Sequence, residues 1–360
     1  MFVAWRDLRF AKGRFTLMGT VIVLITLLVG LLSGLTAGLA RENISAITGL
    51  SADRLAFAAP PAGQSVSFTN STVTESQWRD WAGRPGVESA EPLGIRSLNA
   101  TAGDRTAALS AFGTNPGTGI APESGKLAPG KAVLSESAAE ELDVRVGDAV
   151  RLGPVEATVA AISGDASYSH TPVVWTSLDD WQELGHSGTA PEEQATVIAL
   201  SGSDVDWAAG DAAGKTSAKT PDEALTAIGS YQAENGSLQM MRGFLFAISA
   251  LVIGAFFTVW TIQRSGDVAV LKALGASTPY LLKDALGQAV IMLGAGTLIG
   301  TGLATGIGAL ISGGDVPFVL QPLTVLGPAA VIIVLGVLGA ALSIRRITAV
   351  DPLTALGSAR

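Results

Sequence analysis

Long uncharged apolar runs lie at both ends of the chain, on either side of one segment of mixed polar and apolar character. Four windows contain no Asp, Glu, Lys or Arg, namely residues 15–40, 243–263, 285–314 and 316–344. Each exceeds the roughly 18 apolar residues that favour a membrane span over a buried core helix. The pattern predicts four transmembrane helices, at 15–40, 243–263, 285–311 and 320–344, with a tight outer hairpin at 312–319.

A secretory signal peptide is the alternative for the first window, because basic residues precede it and small residues stand near its end. The apolar run is longer than the 7–15 residues of a usual signal-peptide core. Its length therefore favours a membrane span.

Residues 41–240 have the pattern of a water-exposed domain, in which short β-type runs alternate with turn signals. We expect strands at 132–134, 149–152, 157–162, 172–176 and 196–200, and helices at 75–81, 136–142 and 178–184. Residues 41–54 and 221–241 are expected to be helical stalks, and residues 201–220 a mobile loop. The predicted fold class is a membrane protein with four transmembrane α-helices and a large extracytoplasmic mixed α+β domain between the first and second helix.

The basic residues predict how the spans are oriented. The N-terminal segment 1–14, the 264–284 loop and the tail 345–360 are the parts rich in Lys and Arg, which marks them as cytoplasmic. Between Glu42 and Glu234 the chain carries 26 acidic residues against 11 basic ones. We therefore expect a multi-pass protein of the cell membrane with both termini in the cytoplasm.

Composition excludes several classes of function. The mean hydropathy is +0.42 and the pI is near 4.9, and outside the membrane flanks Lys and Arg do not cluster as nucleic-acid binding requires. The chain has no Cys and only two His, so neither a disulfide framework nor a paired His or Cys metal site is expected. The run from Gly210 to Thr216 is one residue too short for a phosphate-binding loop. We expect no intrinsic cofactor and no enzymatic activity.

Glycines recur at four-residue spacing in two of the predicted spans, an arrangement that lets helix backbones approach closely. They are Gly30, Gly34 and Gly38 in the first span, and Gly296 with Gly300 and Gly302 with Gly306 in the third. Packing within the chain and a contact between two copies are both compatible with the spacing. The three glycines in register favour a dimer seam on the first span.

The loop between the second and third spans contains a short amphipathic pattern. Val268, Leu271 and Leu274 share one face of a helix, and Gly275 is placed to end it. Such a helix at the cytoplasmic mouth of two spans is suited to docking a soluble partner. A membrane-surface loop is the alternative.

Residues 264–277, together with the Trp5–Leu8 start and the 345–356 tail, resemble the FtsX-like, MacB-type (type VII) ABC transporter permeases. The resemblance implies a permease that works as a homodimer in the lipid bilayer. It also implies a separate cytoplasmic ABC ATPase, similar to HrtA, that binds the ATP. The residues that match the family's coupling segment are Arg264, Asp267, Val270, Leu271, Lys272, Leu274 and Gly275.

Residues 164–175 and 180–182 are similar to the HrtB and DevC branch of that family, in which HrtB-type permeases export heme and DevC-type ones are tied to glycolipid export. Heme as the transported substrate is therefore what the resemblance implies. A mechanotransmitter that regulates an extracytoplasmic partner, and an exporter of lipids, peptides or lipoproteins, are the alternatives.

Heme iron takes an axial His, Tyr, Met or similar donor beside an apolar slot and cations for the propionates. We expect the site at the outer membrane boundary, with Tyr231, Met241 and Glu42 as donors and Arg41 or Arg242 as propionate partners. The full candidate set is Tyr231, Met241, Glu42, Arg41, Glu234, Met240 and Arg242. Ordinary interfacial anchoring and exposed flanking charges are the alternatives. His170 is expected to be a structural turn residue.

Overall fold

The computed structural model describes residues 12–185, 193–312 and 316–348. The Trp5–Leu8 start, His186, Asp315 and the tail from residue 349 lie outside the described residues. The chain divides into two compact units, an outer unit of residues 39–236 and a membrane unit of residues 1–38 with 237–360.

The outer unit is built around a mixed β-sheet. Its strands are β1 (Arg54–Ala58), β2 (Val73–Thr74), β3 (Val87–Ala102), β4 (Arg105–Thr114), β5 (Lys131–Leu134), β6 (Ala149–Leu152), β7 (Val155–Ile162), β8 (Ser167–Tyr168), β9 (Thr171–Ser177), β10 (Gln194–Ala195), β11 (Val197–Gly202) and β12 (Thr216–Lys219). The order is β12-β1-β11-β3-β4-β9-β5-β7-β6, with β8 beside β9, while β2 and β10 pair separately. Because the end of β3 also pairs with β6, the six strands from β3 to β6 close into a ring.

Ten α-helices are found in the described part of the chain. They are α1 (Lys12–Thr48), α2 (Glu75–Ala82), α3 (Glu136–Leu142), α4 (Leu178–Glu183), α5 (Trp207–Gly214), α6 (Pro221–Ala224), α7 (Gly229–Gln263), α8 (Ser265–Ala273), α9 (Thr278–Ile311) and α10 (Pro322–Thr348). Helices α1, α7, α9 and α10 are long and apolar enough to cross a membrane. The chain is thus a four-span membrane protein with a mixed α+β region between its first and second spans.

An aromatic cluster forms part of the core of the outer unit. The Phe68 ring lies 4.8 Å from Phe57 and 5.8 Å from Tyr168, and the Phe112 ring lies 5.6 Å from Tyr168 and 5.0 Å from Trp175, measured between centroids. All five side chains are buried. Burial of this much apolar surface accounts for a domain that folds without disulfides.

The predicted strands and helices of the outer unit are found, with bounds shifted by a few residues, whereas the long β3–β4 hairpin was not predicted. The mobile loop expected at 201–220 is wrong, since α5 and β12 occupy it. Gly210 of α5 packs directly on the Trp81 indole, where a larger side chain would collide. The small residues there permit close packing and do not confer mobility.

The two predicted stalks differ from the expectation in their bounds. Helix α1 ends at Thr48, before the residue 54 that was predicted. The second stalk is interrupted, because α6 and a 3-10 turn at Leu225–Ala227 precede Ile228, and α7 begins at Gly229. Ile228 is almost fully buried, so the chain bends there to place an apolar anchor in the core.

Close approach of helices at glycine holds the membrane unit together. A Cβ atom at Gly30 would lie 2.8 Å from Ala304 Cβ, and one at Gly300 would lie 2.7 Å from Thr26 Cβ. Gly34 likewise packs on the Phe318 ring. The glycines of the first span therefore contact their own chain, contrary to the dimer seam predicted for them.

Candidate functional site

The loop between β8 and β9 is a two-residue turn with an unusual backbone. Ser169 and His170 have φ values of 52° and 63°, the left-handed region that non-glycine residues seldom adopt. Two consecutive positive φ angles match a turn that follows the twist of the strands. Contacts outside the hairpin must offset the conformational cost of such a turn without glycine.

Helix α1 supplies the first of those contacts. The Ser169 N–H donates to the Asn43 carbonyl at 3.0 Å, and the His170 N–H donates to the Glu42 carbonyl at 3.2 Å. The Ser167 N–H donates to Ser45 Oγ at 2.8 Å. The hairpin is thus fastened along one face of the end of α1.

The His170 ring lies between two carboxylates from different helices. Its Nε2 atom is 2.8 Å from Glu234 Oε2 of α7, and its Nδ1 atom is 3.5 Å from Glu42 Oε2 of α1. The three side chains are 30%, 45% and 43% exposed, respectively, so the group is open to solvent and to ligands. A protonated imidazole can donate from both nitrogens and so satisfy both carboxylates.

Asn43 and Ser230 complete the arrangement beneath these groups. The Asn43 Nδ2 donates to Glu234 Oε2 at 3.3 Å and lies 3.0 Å from His170 Nε2, while its Oδ1 accepts from Ser230 Oγ at 2.7 Å. Ser230 Oγ also lies 2.8 Å from Ser169 Oγ. Asn43 is 1% exposed, and its hydrogen bonds offset the cost of burying the amide. The His170 cluster comprises Glu42, Asn43, Ser169, His170, Ser230 and Glu234.

The structure brings together two of the predicted boundary residues, Glu42 and Glu234, and adds His170 to them. The sequence assigned His170 only to a turn, and it does lie in one, but its ring also contacts both carboxylates. Tyr231 packs instead against the apolar core of the outer unit, and Arg41 is exposed. The pattern around residues 169–170 indicates a turn, but no local sequence signal places His170 beside the end of α1, 127 residues away from Asn43.

The other three boundary candidates belong to the membrane unit. Met240 and Met241 are 64% and 48% exposed on α7. The Arg242 guanidinium lies 5.8 Å from the centre of the Phe246 ring. Met240 and Met241 are therefore accessible within this unit.

Metal binding and the ionisation of side chains in the outer unit both bear on the chemistry that a site there can support. Among the described residues, no group of three or more His, Cys, Asp or Glu side chains is arranged to hold a metal ion. Burial raises the pKa of Tyr168 above its usual range, so this tyrosine stays a neutral phenol. Helix α3 carries Glu141, whose pKa is raised by burial as well.

Helix α8 lies within residues 264–277, the segment predicted to contact an ATPase. It ends in a Schellman motif, in which the Ala276 N–H donates to the Leu271 carbonyl at 2.9 Å and the Gly275 N–H to the Lys272 carbonyl at 3.0 Å. Gly275 has a φ of 94°, which confirms its predicted role in ending the helix. Val270, Leu271 and Leu274 are 52%, 36% and 79% exposed. The side chain of Asp267 lies outside the described part of the chain.

A buried amide joins the start of α8 to α9. Arg264 Nη1 donates to Gln288 Oε1 at 2.5 Å, and Gln288 Nε2 donates to Asp284 Oδ2 at 3.1 Å. Gln288 is fully buried, and the Arg264 guanidinium lies 5.2 Å from the Trp260 ring. Burying a polar side chain in an apolar helix is unfavourable unless its hydrogen-bonding groups are paired. The paired Gln288 therefore indicates a structural link between α8 and α9.

The glycine-containing run from Gly210 to Thr216 has a packing role. Its glycines lie in α5 against Trp81, whose Nε1 donates to Thr216 Oγ1 at 3.1 Å. The Asp211 carboxylate accepts from the Ala218 N–H at 2.9 Å. These contacts explain why small residues occur in the run from Gly210 to Thr216, and a bound phosphate is not needed to explain them.

Comparison with known proteins gives matches along nearly the whole chain. The model of the MacB-like periplasmic core domain matches residues 15–215, and that of the FtsX-like permease C-terminal domain matches residues 240–352. The chain is 27% identical over 369 residues to a protein of Staphylococcus haemolyticus (strain JCSC1435) named putative hemin transport system permease protein HrtB, with 99% of each chain covered.

Two more distant matches differ in how much of the chain they cover. An uncharacterized ABC transporter permease of Mycobacterium tuberculosis (strain ATCC 25618 / H37Rv) is 23% identical over 372 residues, again covering 99% of each chain. The solved periplasmic region of MacB from Actinobacillus actinomycetemcomitans aligns with a TM-score of 0.33 at 14% identity, covering 49% of this chain and 92% of that one. The core-domain model alone spans more than half of the chain. The chain therefore belongs to the MacB-type, FtsX-like family of ABC transporter permeases.

Proposed function

We propose that this permease exports hemin from the membrane, driven by a separate ATPase. The observation that carries the proposal is the joining of Glu42, His170 and Glu234 at a solvent-accessible point of the outer unit. Relatives that are 27% identical over 99% of the chain are named putative hemin transport system permease proteins, which supports hemin as the substrate.

The His170 cluster has donors that an iron centre accepts. Imidazole is a common axial ligand of heme iron, and carboxylates are oxygen donors. Both ring nitrogens of His170 face carboxylates, so a carboxylate of Glu42 or Glu234 that ligates iron would give up its contact with the ring. Hemin binding would thus exchange one set of polar contacts for another within the outer unit.

The remaining candidates stay part of the proposal in narrower roles. In the outer unit, Arg41 is exposed on α1 and would pair with a propionate. Within the membrane unit, Met240 and Met241 offer thioether donors and Arg242 a cation. Tyr231 packs on the core of the outer unit, so it would have to turn outward to reach iron.

ATP hydrolysis would be coupled to export through α8. Its exposed apolar residues Val270, Leu271 and Leu274 would dock on a cytoplasmic ATPase similar to HrtA, and Arg264, Asp267, Lys272 and Gly275 would complete the contact. This requires α8 and both termini in the cytoplasm, as the distribution of Lys and Arg predicts. Two copies of the chain would work as a homodimer, and movements of the helices that enter the outer unit would release hemin outward.

A hemin titration of the full chain in detergent, followed by Soret absorbance, tests the substrate and its site. We expect saturable binding that weakens at least tenfold in Glu42→Ala and in Glu234→Ala. Tyr231→Phe and Met241→Ala test the remaining donors. Glu88→Ala and Tyr280→Phe replace an exposed outer carboxylate and an exposed tyrosine elsewhere and should bind like the wild type.

Either of two results would reject hemin as the substrate bound at this site. One is uptake that never saturates and is identical in every variant, which would favour a lipid, a peptide or an outer protein partner. The other is saturable binding that none of the four boundary variants weakens, which would place the site elsewhere.

Docking of the ATPase is tested by co-purification from cells that express both subunits. Leu274→Asp replaces the exposed leucine that caps the C-terminus of α8 and should abolish recovery of the ATPase. Leu310→Asp, at the other end of α9, changes a leucine that is 86% exposed and serves as the control. Equal recovery with both variants would contradict the docking role of α8.

A further inference from the structure

The β8–β9 hairpin contacts two helix ends that are distant in sequence and leads directly into the sheet. Its turn residues bond to α1 through the Glu42 and Asn43 carbonyls and to α7 through Ser230 and Glu234. Strand β9 then pairs with β4 and β5. One short hairpin therefore connects both helix ends to the sheet of the outer unit.

The His170 cluster occupies a defined level along these helices. Apolar anchors fix the helix ends in the core, with Ile47 fully buried and Ile228 1% exposed. The four cluster residues on the helices, Glu42, Asn43, Ser230 and Glu234, lie between these anchors and the positions at which α1 and α7 leave the outer unit, residues 39 and 236. The polar contacts therefore act where the two helices depart from the core.

The chemistry of His170 suits a link between two carboxylates. Its ring nitrogens point in different directions, so one side chain can engage Glu42 and Glu234 on different helices. Without the ring, two like charges would face each other across the gap and repel. The left-handed turn at residues 169–170 holds the ring in that gap.

We propose that His170 is a positioning residue that fixes the spacing of α1 and α7 where they leave the outer unit, so that both helix ends and the sheet move as one body. The functional use of this device rests on the proposed function, because a permease driven by helix movements needs a stiff connection to its outer domain. The connection itself is a property of the outer unit and is measurable without substrate or ATPase.

Paired spin labels on the full chain in lipid nanodiscs test the proposal. The chain has no cysteine, so Arg41→Cys and Ala233→Cys, both at exposed positions, introduce the only two label sites. With labelled chains diluted in unlabelled ones, so that only label pairs within one chain contribute, we expect one narrow distance distribution in the parent protein and at least a doubling of its width in His170→Ala. His170→Gln keeps an N–H donor for one carboxylate and should restore part of the narrow distribution.

A matched control and a second variant make the outcome decisive. Ser203→Ala removes an exposed contact to Glu88 in the same unit and should leave the distribution unchanged. If His170→Ala fails to fold, the double variant Glu42→Ala with Glu234→Ala removes both partners of the ring, leaves the hairpin sequence unchanged and should broaden the distribution. An unchanged width in a folded His170→Ala protein, or in the double variant, would overturn the proposal.

The two hypotheses can fail separately. Absence of saturable hemin binding would reject the proposed substrate while the spin-label result still stands. A normal hemin titration with an unchanged label distance would reject only the positioning role of His170.

Discussion

The outer unit and the membrane unit hold their helices and strands together by different interactions. The outer unit buries large aromatic side chains such as Trp81, Phe57 and Phe112, and keeps its polar cluster partly open to solvent. The membrane unit brings helices together at Gly30 and Gly300 and encloses a single amide, Gln288, between charged partners.

The difference follows from the two solvents. In water, transfer of apolar surface into a core drives folding, so large side chains contribute most. In lipid that driving force between helices is absent, and close packing at small residues and hydrogen bonds take its place. Substitutions that remove bulk should therefore damage the outer unit most, and substitutions that add bulk or remove hydrogen bonds should damage the membrane unit.

The largest effect is expected for Trp81→Ala in the outer unit. The indole is fully buried, packs on Gly210 and donates to Thr216. Its removal should lower the free energy of unfolding by about 3–5 kcal/mol. Urea unfolding of the full chain, followed by circular dichroism of the β-signal, measures it.

Trp207→Ala is the matched control for that prediction, because Trp207 is only partly buried against the same cluster. It should cost less than half as much. Equal losses for both tryptophans would show that packing depth does not determine stability in this unit.

Gln288→Met is expected to have the next largest effect and to act on the membrane unit. The substitution preserves the volume but removes the acceptor of Arg264 and the donor to Asp284. Loss of hydrogen bonds to charged groups should cost about 1.5–3 kcal/mol. Thermal unfolding in nanodiscs is the measurement, with Gln239→Met, at an exposed position of α7, as the variant that should not change the transition.

Gly300→Val tests whether glycine is required for helix contact. The added side chain would meet Thr26 and the Val23 carbonyl, and overpacking of this kind costs about 1–3 kcal/mol. Gly302→Val places the same side chain where nothing lies within 4 Å. If the parent protein is dimeric in solution and a folded, stable Gly302→Val protein is monomeric, that face of α9 forms a contact between copies.

The spans and most of the short helices and strands were predicted well from the sequence. Hydrophobic periodicity and the length of apolar runs indicate such elements, and both are local properties of the sequence. It failed at residues 201–220, where small residues suggested mobility but permit α5 to pack on Trp81. It also assigned the first-span glycines to a dimer, since spacing cannot distinguish a partner chain from Ala304 and Phe318. The end of α8 at Gly275 was predicted correctly, because the termination of a helix by glycine depends on the local backbone conformation.

The candidate site was predicted only in part, for a reason of long-range geometry. Glu42 and Glu234 were proposed together because each stands near a membrane flank. His170 joins them through a hairpin 127 residues after Asn43, and pairing at that separation has no local sequence signal. A turn at His170 was predicted, but its left-handed backbone was not, because two successive non-glycine residues with positive φ are uncommon.

The smallest effect is a pH dependence confined to the outer unit. Burial raises the pKa of Tyr168 above the value near 10 that a tyrosine has in an unfolded chain. The folded state therefore keeps a proton that the unfolded state loses, so the stabilisation is complete below about pH 10 and is lost as pH rises through the folded pKa. Above pH 10 the unfolding free energy should fall by up to about 1.4 kcal/mol per pH unit through this group.

The measurement is the difference in unfolding free energy between wild type and Tyr168→Phe, from urea unfolding at pH 8.5 and at pH 11. The comparison isolates Tyr168, because other groups titrate equally in both proteins. Parallel pH profiles would mean that Tyr168 ionises as freely in the folded unit as in the unfolded chain, and the aromatic core would then be less closed to water than its packing indicates.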